Sequence, residues 1–266
     1  MASIATIRPY FLSIIIIMKV DNPTVAICLF HKDENEFLPE WLEYHFDLGF
    51  DFIRIYDNGS KIQPENTDKI KVTHWSGDHK GRQSEAYNYF IHQYKDKIDW
   101  CLFVDTDEYL HLNKHKTIKE FIKDYNDEKC IYIHRLTYGS SFKDRITSHK
   151  ELTRHGPLNL EYNRIGKSLL RLSCVDRYIK CVHNLMPEFS INVLGEREKR
   201  IVSKEAIFEV AYIKHYLTRG KEQLEEKFVR GPGQNTKESK MTNEYKAWLR
   251  DFDNHILNLH EEGELL

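Results

Sequence analysis

The chain is informative first for what it lacks. Its five cysteines, Cys28, Cys101, Cys130, Cys174 and Cys181, form no C-x-x-C pair, which removes zinc-ribbon and dithiol motifs. Odd in number and scattered, they suit a reducing cytoplasm; Cys28 and Cys101 lie inside apolar runs and read as small buried hydrophobes. There is no cationic excess. Lys plus Arg (39) balances Asp plus Glu (41) at a formal charge of -2, so no nucleic-acid partner is expected, and an anionic small substrate has to meet a local cationic patch. The fourteen histidines include no H-x-H and no H-E-x-x-H, which removes common metallohydrolase signatures. Internal repeats and low-complexity stretches are missing as well. The longest apolar run, Tyr10 to Val20 (YFLSIIIIMKV), is short for a transmembrane helix, and no small-residue cleavage site follows it. It reads as a lead-in or an extra strand, with a membrane-surface contact as the alternative.

What is present is enough to build a core. Hydrophobic residues make up 41% and aromatics 12% of 266 residues, which suits one large globular domain with a tail. Thr24 to Phe30 (TVAICLF) is a continuous apolar run, the mark of a strand covered on both faces. Phe37, Trp41, Tyr44 and Leu48 recur at helical spacing, with Pro39 suited to the first turn and Gly49 to the end. Strands are expected at 52–56, 70–75 and 100–104, a helix at 82–94, and turn chemistry at Asp57-Asn58-Gly59-Ser60. The strand–helix alternation predicts an α/β fold with a mainly parallel sheet flanked by helices. In such sheets ligands bind beyond the carboxyl ends of the strands. Farther on, strands are expected at 130–134 and 207–213, helical signal from Lys221, a loop at 231–239, and a last amphipathic helix at 243–259. The division is therefore a lead-in over 1–23, a catalytic domain over 24–220, and a C-terminal helical extension over 221–266.

Asp105-Thr106-Asp107 carries the sharpest chemical signal. Two carboxylates at the end of the buried run WCLFV suit a hard divalent cation, Mg²⁺ or Mn²⁺, which prefers oxygen ligands and commonly shares them with a substrate phosphate. An acidic solvated turn is the bland alternative.

WCLFVDTDEYL resembles the W-x-x-F-x-D-x-D-E-F-hydrophobic signature of glycosyltransferase family 92 and its family 2-like relatives. Lys32-Asp33-Glu34 followed by FLPEWLEYH is similar to the family's K-N-E-x-x-Y-L-x-E-W-hydrophobic-x-Y-H. Leu48-Gly49-Phe50-Asp51 and Ile55-Tyr56-Asp57-Asn58-Gly59-Ser60 match its L-G-hydrophobic-D and I-Y-D-N-x-S. Gln83 and Tyr87 stand at its Q-x-x-x-Y. Downstream, YGSS at 138–141, KSLLR at 167–171, and His215-Tyr216 with Lys227, Arg230 and Gly231 resemble later family elements. The resemblance runs over roughly residues 24 to 231. Asp33 stands where the family has Asn, and Tyr109 where it has Phe.

The resemblance implies a GT-A, Rossmann-like fold. It also implies metal-dependent transfer of a hexose, galactose among the candidates, from a uridine diphosphate sugar to a glycan or lipid-linked glycan hydroxyl, with inversion. Asp57 would contact uracil or ribose; a side-chain-capped turn is the rival reading. Lys32, Asp33, Glu34, Gln83, Tyr87 and Asp105 would line the donor site. Lys167 and Arg171, four apart and on one face of helix or strand alike, are candidates to neutralise diphosphate. Asp105 and Asp107 would hold the metal, with His215 as a third ligand and His183 a weaker candidate. The general base is left among Glu108, Asp144, Glu151 and Glu161, with Glu108 also a candidate cap for a following helix. The alternatives in other classes are a metal-dependent nucleotide-sugar or phosphodiester hydrolase and a non-catalytic binding module. The expected location is the cytoplasm, with the membrane surface as an option.

Overall fold

A computed structural model describes residues 22–77, 81–231 and 242–263; the apolar run at 10–20 and most of the loop expected at 231–239 lie outside them. The first half runs β1 (Val25–His31), α1 (Leu38–Asp47), β2 (Phe52–Asp57), β3 (Ile70–His74), α2 (Arg82–Tyr94), β4 (Trp100–Val104), β5 (Glu108–Leu112) and α3 (Ile118–Lys123). The second half runs β6 (Cys130–Tyr138), β7 (Arg154–His155), β8 (Gly166–Arg171), β9 (Ser190–Ile191), β10 (Ala211–Tyr216), α4 (Lys221–Arg230), α5 (Asn243–Phe252) and β11 (His260–Glu261).

β1 shows how the pattern dictates the layers. All seven of its residues are buried. Val25, Ile27 and Leu29 pack with Phe37, Trp41 and Phe121 in one apolar cluster, while Ala26, Cys28 and Phe30 pack with Tyr87 and Phe90 in another. Successive side chains of a strand point to opposite faces, so a continuous apolar run demands helices on both. α1 covers one face and α2 the other. Pro39 sits in the first turn of α1, and Gly49 follows its end at φ 95° with its N–H on Phe46 O. That left-handed conformation is one that glycine adopts without strain.

The sheet is mainly parallel. β3, β2, β1 and β4 lie side by side in parallel. β8 then enters antiparallel between β4 and β6. β10 lies parallel to β6 and antiparallel to β5. The reversals of β8 and β5 position the site. The carboxyl end of β4, the start of β5, the start of β8 and the carboxyl end of β10 all meet at one pole.

The C-terminal segment is tied to the sheet. β11 pairs with β7. Asp253, just past α5 and 2% exposed, accepts hydrogen bonds from Ser140 N (2.7 Å), Ser140 Oγ (2.6 Å) and Thr218 Oγ1 (2.8 Å). Leu249 and Leu257 pack with Leu217, Leu224 and Phe228 in a third apolar cluster. The helix expected over 243–259 ends as an α-helix at Phe252 and continues through a wider turn over Asp253–Leu257. No helix among the described residues is long and apolar enough to cross a membrane.

Candidate active site

The β4–β5 connection is a tight acidic turn. Glu108 N donates to Asp105 O (3.1 Å), and Asp105 N donates to the Glu108 carboxylate (2.9 Å). Glu108 therefore opens a strand and does not cap a helix; its side chain closes the turn instead. Trp41 of α1 fixes the turn from below, its indole N–H on Glu108 O at 2.8 Å. Asp105 and Glu108 share the ammonium of Lys167, at 2.6 and 2.9 Å. Gln83 of α2 donates to the other Asp105 oxygen (2.9 Å) and to Tyr87 Oη (2.8 Å). Burial alone would push the Lys167 ammonium down. The Asp105 and Glu108 carboxylates overcome this and carry it above the ordinary lysine range. Burial pushes Glu108 up to about 7, against the pull of Lys167.

Asp107 takes a different set of partners. Lys227 of α4 reaches it at 3.0 Å, and His215 Nε2, at the end of β10, stands 3.9 Å from the same carboxylate. Burial opposes ionisation of Asp107, but Lys227, first among its cationic neighbours, holds it well below the usual carboxylate range. Burial, reinforced by Arg135 and opposed by Asp107, pushes His215 far below the usual imidazole value, so the ring is neutral. Its Nδ1 is buried with no hydrogen-bond partner among the described residues. Glu34 bridges Arg219 (2.7 Å) and Arg230 (2.6 Å). Burial alone would raise Glu34, and the two guanidiniums outweigh it to hold the carboxyl at about 2.

These groups surround a cavity of about 360 Å³ lined by Asp105, Asp107, Glu108, His215, His183 and Arg135, among others. A cleft of about 900 Å³ between the 32–37 segment and α4 opens beside it and shares Lys32, Glu34, Lys227 and Arg230. A concavity of about 980 Å³ at Asn113, Arg164 and Phe208 contains none of these carboxylates.

The structure thus gathers Lys32, Glu34, Gln83, Asp105, Asp107, Glu108 and His215 at one place, with Lys167 and Tyr87 bonded just behind. Asp33 sits at the rim at φ 48°, its backbone N–H on Ser60 Oγ and its carboxylate accepting from Lys61 N, both at 2.8 Å. The carboxylate there acts only as an acceptor, so the missing amide donor of an Asn goes unused in this contact. Asp57 is fully buried and holds Ser60 through its N–H (3.2 Å) and hydroxyl. That is the capped-turn arrangement.

Other nominated residues do not reach the cavity. Arg171 is on the same strand face as Lys167, but four residues farther along β8, which separates them by about 13 Å. Its partner in the register is Trp100, at the opposite end of β4, and its guanidinium donates to Glu128 O and Asn126 O. Asp144 is exposed and faces Lys221 at 3.8 Å. Glu151 closes a capping box with Ser148. Glu161, 78% exposed, faces Arg164. Of the four base candidates only Glu108 lines the cavity.

Among the described residues no three acidic, histidine or cysteine side chains converge on one point. Asp105 turns to Lys167 and Gln83, while Asp107 pairs with His215. Residue reading passed over Arg219 and Arg135, and reached Lys227 only through the resemblance. The available signal for Arg135 was a charged residue in the interior of an otherwise apolar strand, CIYIHRLTY.

The sequence model of Glycosyltransferase family 92 matches residues 23–252. A glycosyltransferase family 92 protein of Oryza sativa subsp. japonica is 23% identical over 109 residues, 39% of this chain and 19% of the relative. One of Ricinus communis is 23% identical over 109 residues, 39% and 20% of the two chains. The aligned region thus spans about a fifth of these relatives' length. Among solved structures, glucosyl-3-phosphoglycerate synthase from Mycobacterium tuberculosis, in complex with Mn²⁺, uridine diphosphate and glucosyl-3-phosphoglycerate, shares 12% identity. It aligns over 56% of this chain and 57% of its own at a TM-score of 0.32.

Proposed function

Since this chain belongs to glycosyltransferase family 92, and is by that membership a glycosyltransferase, we propose that it moves a hexose from a uridine diphosphate sugar to a hydroxyl of a glycan or lipid-linked glycan. A divalent cation, Mn²⁺ or Mg²⁺, would assist, and the transfer would proceed with inversion. Family membership does not name the sugar; galactose is the first to try.

The observation that carries this reading is the pairing of Asp107 with a neutral, buried His215 at the rim of a cavity that also holds several cations. Their 3.9 Å separation is too long for a hydrogen bond. The Lys227 ammonium meets the same Asp107 oxygen at 3.0 Å, and a divalent cation replacing it there would be within reach of His215 Nε2. The orphaned Nδ1 of His215 is consistent with a ring whose place is set by a ligand. The donor set fits Mn²⁺ readily and Mg²⁺ acceptably, with phosphate and water completing the shell. Asp107 and His215 would hold the ion, and when bound it would neutralise charge on the leaving diphosphate.

The remaining residues prepare the site. Lys167 and Gln83 orient the Asp105 carboxylate. Arg219 and Arg230 keep Glu34 ionised and fixed. Lys227 compensates Asp107 and would give way when another cation arrives. Glu108 is the nominated base that faces the cavity, and Glu108→Gln tests it by turnover.

Calorimetry decides the central point. Uridine diphosphate should bind with Mn²⁺, fail to bind with chelator, and fail with Asp107→Ala. Absence of nucleotide binding under every condition would sink the transferase reading. Steady release of free sugar without acceptor would replace it with a hydrolase.

A further inference from the structure

Arg135 is a cation in an unusual position. It lies inside β6, whose nine residues are all buried, and is itself 6% exposed. Its guanidinium is held at one edge and on one face: Nε donates to Tyr162 O at 3.0 Å, and Cζ lies 4.8 Å over the Tyr162 ring. Its two terminal nitrogens donate to no other group among the described residues, and no carboxylate there forms an ion pair with it. The neighbouring cations differ in this respect. Lys167 is paired with Asp105 and Glu108, Lys227 with Asp107, and Arg230 with Glu34.

A buried charge without a counter-ion is costly for a fold to keep. Arg135 also lines the cavity that holds Asp105, Asp107 and His215. Its fork therefore stands preoriented and unmatched in the place where the proposed donor would put its anionic part.

Resting on the transferase reading above, we infer that Arg135 binds the diphosphate of the nucleotide donor, its terminal nitrogens forming a two-pronged contact with phosphate oxygens. A planar guanidinium suits this better than an ammonium, because two parallel N–H donors match two phosphate oxygens. The contact strengthens as the bond to the sugar breaks and negative charge grows on the diphosphate. It takes over the role that Arg171, at the far end of β8, cannot fill. Tyr162 acts as a positioning residue, holding the guanidinium by its carbonyl and ring so that the fork is not free to turn.

The test is calorimetric titration of uridine diphosphate, uridine monophosphate and uridine, all with Mn²⁺, into wild type, Arg135→Lys and Arg135→Met, with thermal unfolding of each unliganded protein. A charge-assisted contact of this kind is worth about 10- to 100-fold in affinity. Arg135→Met should weaken uridine diphosphate by that factor, uridine monophosphate by less, and uridine by under about twofold. Arg135→Lys, which keeps the charge without the fork, should fall between. The melting temperature of unliganded Arg135→Met should match or exceed that of wild type, since an uncompensated buried charge has been removed; a purely structural arginine would lower it. Retention of uridine diphosphate affinity within twofold in Arg135→Met, or equal weakening of all three ligands, overturns the inference while leaving the transferase reading intact. Wild type that binds none of the three overturns both.

Discussion

Removing the Lys167 ammonium should destabilise the protein by an amount that grows with pH. Lys167 is 1% exposed, Glu108 2% and Asp105 37%. Glu108, pushed up to about 7 by burial, is protonated in the fold at pH 5.5 and ionised at pH 8.5. In Lys167→Met at pH 5.5 the loss is therefore mainly the contact with the part-exposed Asp105, roughly 1 kcal/mol after solvent screening. At pH 8.5 wild type keeps Glu108 ionised beside Lys167, whereas the variant must keep the buried carboxyl protonated. Doing so 1.5 pH units above about 7 adds roughly 2 kcal/mol at about 1.4 kcal/mol per unit. The sign follows from linkage. A carboxyl whose folded pKa is raised binds more protons folded than unfolded, so its contribution falls as pH rises towards that pKa, and the variant extends the fall beyond it. Urea denaturation of wild type and Lys167→Met at both pH values should give a difference of roughly 1 kcal/mol at pH 5.5 and about 3 kcal/mol at pH 8.5. Compared with Glu108→Gln alone, the double variant Lys167→Met/Glu108→Gln should show a difference that no longer changes with pH. A difference between wild type and Lys167→Met that is the same at both pH values, or one that still changes with pH in the Glu108→Gln background, refutes the reasoning.

Two further outcomes follow from buried polar groups. His45, His149 and His183 are pushed down to about 3, His134 to about 4 and His215 far below the usual imidazole value, each chiefly by burial. The unfolded chain therefore takes up protons that the fold refuses as pH drops below about 6.5. From pH 7 to 5.5 the five together remove roughly 6 kcal/mol, and the protonation of Glu108 restores roughly 1.5 kcal/mol. A net loss of about 4 to 5 kcal/mol by urea titration is expected, and unchanged or increased stability at pH 5.5 would contradict the burial argument. Asp253→Ala strips three buried donors of their acceptor and should cost about 3 kcal/mol. Limited proteolysis should then cut around α5 first; uniform cleavage along the chain would show that Asp253 does not anchor this segment.

Much of the first half of the fold was legible. β1 and β4 are buried on both faces and read as unbroken apolar runs between turn residues, and α2 falls at 82–94 as the spacing requires. β5 (EYLHL) and the six-residue α3 (IKEFIK) were not anticipated, because each is too short and too mixed in polarity to give a periodic signal. The later strands were harder because their ends are polar. The strand expected at 207–213 is Ala211–Tyr216. Phe208 and Val210 are buried outside it, and its real end carries Lys214 and His215, which broke the apolar signal. Arg171 failed for a different reason. Period-two alternation correctly gives its face, but direction along an antiparallel strand depends on the sheet order, which no local pattern encodes. The carboxylate motif itself was plain. Its cationic partners were not, since Lys227 and Arg135 become its neighbours only through pairing of segments distant in the chain.

That distance has a consequence for how the protein is made. The ion pair between Asp107 and Lys227 joins residues 120 apart, and that between Glu34 and Arg230 joins residues 196 apart. Emerging from a ribosome at roughly 5 to 20 residues per second, Asp107 waits about 6 to 24 s for its lysine. Throughout that interval the growing chain carries the acidic turn without its α4 partners, and these buried pairs cannot form. Competence at the site is therefore acquired only once α4 has emerged, and a nascent chain stalled before α4 would hold most of its sheet and neither the Asp107–Lys227 nor the Glu34–Arg230 pair.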